Sequence, residues 1–166
     1  MIALNREDAY CFKIRLMCGL REGYYEWLEG YLNSEAPLSE IVLNLSLCGS
    51  DINKAISCLH SFCMEQGFDE SIVCEKLRLF LRDSYHTGCL SKDDAVAYMY
   101  RFANAHGVPG DFESAAWDSM YYMDDYYSLA KTGIIPWERF DCAFFSFLND
   151  GTPIDTNRLM NHFGQE

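Results

Sequence analysis

The side chains with the most chemical reach in this 166-residue chain are its eight cysteines, four histidines and 25 aspartates and glutamates. Cys58, His60 and Cys63, with Cys74, His86 and Cys89 farther along, come nearest to a metal-ligand spacing. A structural zinc site draws ligands two to four residues apart from two short segments, often turns, because four ligands must close a tetrahedron. Cys58 and Cys63 stand five apart in a stretch that reads as helix, which turns them about 140° away from each other around its axis. No metal site is expected there. Asp83 and His86 form a weaker pair, and neither a His-Glu-x-x-His motif nor an EF-hand loop occurs. No two cysteines form a Cys-x-x-Cys pair, and the start MIALNREDAY has neither a basic n-region nor an apolar h-region. The expectation is a cytoplasmic chain whose thiols stay reduced and serve mainly as small core side chains.

Catalytic templates fare no better. There is no Gly-x-Ser-x-Gly elbow, no Walker phosphate loop, no Gly-x-Gly-x-x-Gly after a strand and no paired Glu-x-x-His motif of a di-iron bundle. No catalytic residue and no cofactor are therefore expected, and the chain reads as a non-enzyme. What stands out is the run Trp117 to Tyr127, WDSMYYMDDYY. Tyrosine brings rigid, amphipathic contact area at low entropic cost, and aspartate brings complementarity to a basic partner. An alternative role for Asp111, Asp118, Asp124, Asp125 and Asp141 as a metal or acid-base site lacks both suitable spacing and an accompanying histidine.

The elements that must carry these residues are helices. Val, Ile and Thr together number 17, against 17 Leu and 7 Met, and sheets usually want more of the β-branched residues. Caps and apolar periods predict eight to nine helices. The first runs from an Asn5 cap to Gly19, the second covers about 20 to 33 with Gly23 and Gly30 inside it as marks of close packing, and the third covers 39 to 48. The apolar alternation at 43, 45 and 47 would also suit a short strand. A fourth helix starts at Ser50 or Asp51 and stops at Gly67; a fifth runs from an Asp69 cap to Gly88. The sixth opens on Ser91-x-x-Asp94, a variant of the capping box, and ends at Gly107. The seventh runs from an Asp111 cap to Gly133, the eighth from Pro136 to about Asn149, and a short ninth follows Asp155 with Leu159, Met160 and Phe163. Short connections predict one compact helical bundle over residues 1–166, with an irregular α-solenoid as the alternative.

Projected at about 100° per residue, the seventh helix separates into two faces. Phe112, Ala116, Met120, Met123, Tyr127 and Ala130 form a core stripe. Opposite lie Asp118, Tyr121, Tyr122, Asp125 and Leu129, with Asp111 and Ser114 beside them and Tyr126 at the margin. Either this second face packs under another helix, or it is a surface that meets a partner. Asp118, Tyr121, Tyr122, Asp125 and Leu129 are the candidate partner-binding residues.

Charge points to the same region. The net charge is -12, with 13 Lys and Arg against 25 Asp and Glu. Residues 111–166 hold 10 of the acids and only 3 of the bases, so the excess concentrates where the tyrosines do. Such a balance disfavours direct nucleic-acid binding, which relies on cations neutralising phosphates. No apolar run approaches the ~20 residues of a membrane span. In size, acidity, lack of a signal peptide and lack of catalytic motifs, the chain resembles the immunity proteins that bacteria keep against contact-delivered toxins. That resemblance implies a cytoplasmic inhibitor of a basic toxin such as a nuclease, associating fast under electrostatic steering. The alternatives are a phage-type nucleic-acid mimic that blocks a defence nuclease, and a metabolic enzyme or scaffold whose acidity serves solubility.

Overall fold

Helices begin where a side chain satisfies the first free backbone N–H groups. In a computed structural model, which describes residues 2–107, 114–155 and 157, the Asn5 side chain accepts from the Asp8 N–H at 2.8 Å and Asp51 accepts from the Lys54 N–H at 3.1 Å. Ser91 and Asp94 close a full capping box, the hydroxyl accepting from the Asp94 N–H and the carboxylate from the Ser91 N–H. The elements are α1 (Arg6–Met17), α2 (Tyr24–Leu32), α3 (Glu40–Cys48), α4 (Ile52–Gln66), α5 (Glu70–His86), α6 (Lys92–His106), α7 (Ala115–Lys131) and α8 (Trp137–Asp150). The fold is an all-α multi-helix bundle, with eight helices and no strand among the described residues. The ninth helix expected after Asp155 falls outside them. None of the described helices is long and apolar enough to cross a membrane.

The chain divides into two compact units, residues 1–73 and 74–166, with α5 giving its first residues to one and the remainder to the other. In the first unit α1 packs on α4, and α3 packs on α2 and α4. Ala9, Ile14, Tyr24, Leu45, Leu59 and Cys63 are fully buried there. The helix and strand readings of α3 are decided by burial: Val42, Leu45 and Cys48 share the inner side, while Leu47 is 84% exposed. Two expectations about glycine change. Gly23 lies outside α2 as its N-cap, at φ +74°, a backbone region that L side chains avoid. Gly30 marks no close packing, since a Cβ there would meet nothing within 4 Å.

The second unit packs α6 on α7 and α7 on α8. Phe102, Trp117, Met120, Met123, Phe140, Phe144 and Phe147 are wholly buried, joined by Leu77 and Leu81 of α5. One charged side chain sits among them. Arg78 is 5% exposed; its Nε donates to Glu75 at 2.8 Å and its Nη1 donates to the Leu148 carbonyl at the end of α8. A guanidinium thus satisfies a helix carbonyl that has no partner inside its own helix. Ser119 does similar work for the segment after α8: fully buried, it donates to the Ala115 carbonyl and accepts the Ile154 N–H at 2.9 Å.

Candidate functional site

α7 starts one turn later than its sequence suggests. Ser114 is the N-cap, its hydroxyl accepting from the Trp117 N–H at 3.5 Å, whereas Asp111, the expected cap, and Phe112, the expected first core residue, lie outside the described residues. The core stripe holds Met120, Met123, Tyr127 and Ala130 as expected, leaves Ala116 only half-buried, and adds Trp117, Ser119, Tyr126 and Leu129. Trp117 is held in place by α6: its ring stacks on His106 with centroids 4.0 Å apart and planes within 12°.

Two further contacts fix α6 antiparallel beside α7. Tyr100 lies against Tyr121 with ring centroids 5.3 Å apart, and the Tyr127 hydroxyl donates to Asp93. Partner numbers fall along α7 as they rise along α6, from Asp93 with Tyr127, through Tyr100 with Tyr121, to His106 with Trp117. Burial, reinforced by the Asp93 carboxylate, pushes the Tyr127 phenol up to about 12, so this hydroxyl keeps its proton and donates throughout the physiological range.

The predicted face divides on this framework. Asp118, Tyr121, Tyr122 and Asp125 are half-buried along one side of α7. Leu129 does not belong with them: at 3% exposed it is a core residue, because the face turns under neighbouring structure before it reaches the last turn of the helix. Tyr121 and Tyr122 stand nearly perpendicular, with centroids 5.0 Å apart at 89°. Tyr100 of α6, 38% exposed, completes a three-tyrosine cluster. Sequence reading passed over Tyr100, although its position off the Met99, Phe102 and Ala103 stripe of α6 was a usable signal.

The carboxylates of this unit differ in their partners. Asp93 accepts from Tyr127, Asp94 is held in the capping box, and Asp141 binds Lys92 Nζ at 2.6 Å. Asp118 and Asp125 have no hydrogen-bond or ion-pair partner among the described residues. Burial raises the carboxyl pKa of Asp118, and burial together with the adjacent Asp124 raises that of Asp125. Tyr121 is raised as well, by burial, then Tyr100, then Tyr122 and Asp125. Both carboxylates have given up part of their water without receiving a cation or donor in return.

Metal chemistry finds no support in the arrangement. Among the described residues no three His, Cys, Asp or Glu side chains gather as metal ligands. Asp141 is taken by Lys92, and Asp111 of the five-aspartate set lies outside the described residues. The thiols are unbridged. Cys11, Cys48, Cys63 and Cys74 are buried, Cys18 and Cys58 half-buried, and Cys89 and Cys142 exposed. Cys48 and Cys58 do meet, with sulfurs 3.9 Å apart beside a groove between α3 and α4 lined by Ser39, Asn44, Ser57 and Phe62. Burial first, then contact with Cys58, raises the Cys48 thiol pKa, which leaves it a poor nucleophile at neutral pH.

Comparison with known protein families, with curated proteins and with solved structures yields no match.

Proposed function

We propose that this chain is a protein-binding module that docks on a basic protein through the α6–α7 face of Asp118, Tyr121, Tyr122, Asp125 and Tyr100. The observation that carries this reading is the pair of half-buried carboxylates, without a partner among the described residues, set among three tyrosines. A cation from a partner would recover the lost solvation of Asp118 and Asp125, and the tyrosines supply the rigid contact area typical of binding hot spots. The net charge of -12 would speed the encounter. The form of docking we favour is inhibition: an acidic helical body covering the basic cleft of a toxin such as a nuclease, as an immunity protein does.

This form predicts that the neighbouring upstream gene encodes a toxin with a basic domain. Its purified product should bind the wild-type chain tightly, and binding should fall at least tenfold in Asp118→Arg, with a melting temperature no lower than that of the wild type. A neighbouring product that neither binds the chain nor harms cells lacking it overturns the inhibitor reading. Tight binding that is indifferent to Asp118→Arg overturns the assignment of this face.

A further inference from the structure

Resting on that docking reading, we infer that the Tyr100, Tyr121 and Tyr122 cluster with Asp125 and Asp118 is a seat for an arginine side chain of the partner. Three features select arginine over lysine. First, Tyr100 and Tyr121 pack too closely for a cation to enter between them, with centroids 5.3 Å apart and planes 33° apart, so a cation must lie on an outer ring face. A planar guanidinium stacks flat on such a face, while an ammonium makes only a point contact. Second, Tyr122 stands at 89° to Tyr121 with centroids 5.0 Å apart, adding a third ring to the cluster. Third, Asp125 follows Tyr121 by four residues and Asp118 precedes it by three, so both carboxylates lie one helical turn from the ring. A guanidinium stacked on tyrosine can turn its N–H fork toward a carboxylate and bind it with two parallel hydrogen bonds.

Hydration separates the two cations further. Both aspartates are half-buried, so the incoming group must shed water to reach them. Guanidinium is weakly hydrated and loses little, whereas an ammonium holds its water strongly. No cation of the chain itself fills the position among the described residues. Arg101, the neighbour of Tyr100, turns instead to Tyr98, its Cζ lying 5.2 Å from that ring centre.

The test uses two probes of equal charge, nona-arginine and nona-lysine peptides, titrated against the full chain by calorimetry at fixed, physiological salt. Nona-arginine should bind several-fold more tightly. Tyr100→Leu and Tyr121→Leu should each weaken nona-arginine by about two- to fivefold, the loss of a cation–π contact, and weaken nona-lysine less. Asp118→Asn with Asp125→Asn should weaken both peptides. Equal affinity for the two peptides, equal losses in the tyrosine variants, or no binding of either peptide overturns the arginine seat. If the arginine preference fails but the double Asn variant still weakens both peptides, the acidic docking face survives; if that variant changes neither, the face falls with it. Tyr100 is 38% exposed, so Tyr100→Leu tests the seat even if Tyr121→Leu fails to fold.

Discussion

Arg78 shows at the scale of one residue how position overrides type. It sits in α5 among Lys76 and Arg82, and nothing in that pattern marks it as buried. Yet its fork links Glu75 to the Leu148 carbonyl, and Gly151 lies against it: a Cβ at Gly151 would come 3.3 Å from Arg78 Nε. Arg78→Met keeps the stem and loses the fork, leaving a helix carbonyl without its donor. The expected cost is about 2 kcal/mol in urea unfolding. Arg78→Lys should recover only part of it, because an ammonium cannot hold Glu75 in two places. Gly151→Ala should cost about 1 kcal/mol or more, from its φ of +72° and from the crowded guanidinium. A Gly151→Ala variant as stable as the wild type would show that neither the backbone at φ +72° nor the guanidinium resists the added methyl group.

Elements were the most legible scale, and their ends the least. Asn5, Asp51 and Ser91 could be read as caps because short polar side chains precede apolar periods, and all three accept the expected backbone N–H. Ser91→Ala should therefore cost about 1 kcal/mol in denaturant unfolding. Lowering the pH should weaken the same box. The Ser91 hydroxyl and N–H hold the Asp94 carboxyl below its usual range, so its stabilisation is present above the ordinary aspartate pKa and disappears as pH falls through the lowered one. A Ser91→Ala variant whose stability deficit did not shrink in acid would contradict this. The start of α7 was misread because two candidate caps, Asp111 and Ser114, precede it, and polar spacing alone does not rank them. The α7 face was legible up to Asp125 by its period. Leu129 was not, because which neighbour covers a helix end depends on packing remote in sequence. Tyr100 was missed for the same reason: it reaches the site from another helix.

For the whole molecule, the acidity that would assist the proposed docking works against folding. Crowded like charges repel in the compact state, and Asp118 and Asp125 add the cost of lost hydration with no partner among the described residues to offset it. Their folded-state pKa values lie above the ordinary aspartate value, so the folded chain binds these protons more tightly than the unfolded one. The sign follows: protonating them favours folding, and the benefit is complete below about pH 3.9 and lost as pH rises through the raised folded values. Above the raised folded values, their ionised forms are mildly destabilising. Replacing the pair with Asn should therefore raise the melting temperature at pH 7, on the order of 1 °C given their partial exposure. The gain should shrink in acid and vanish below about pH 3.9, where the native carboxyls are themselves neutral. The same variant should bind a basic partner less well. Gain in stability together with loss of binding separates a recognition surface from structural side chains, whose removal lowers both. A pair of Asn substitutions that lowered the melting temperature at pH 7 would instead show that these carboxylates support the fold.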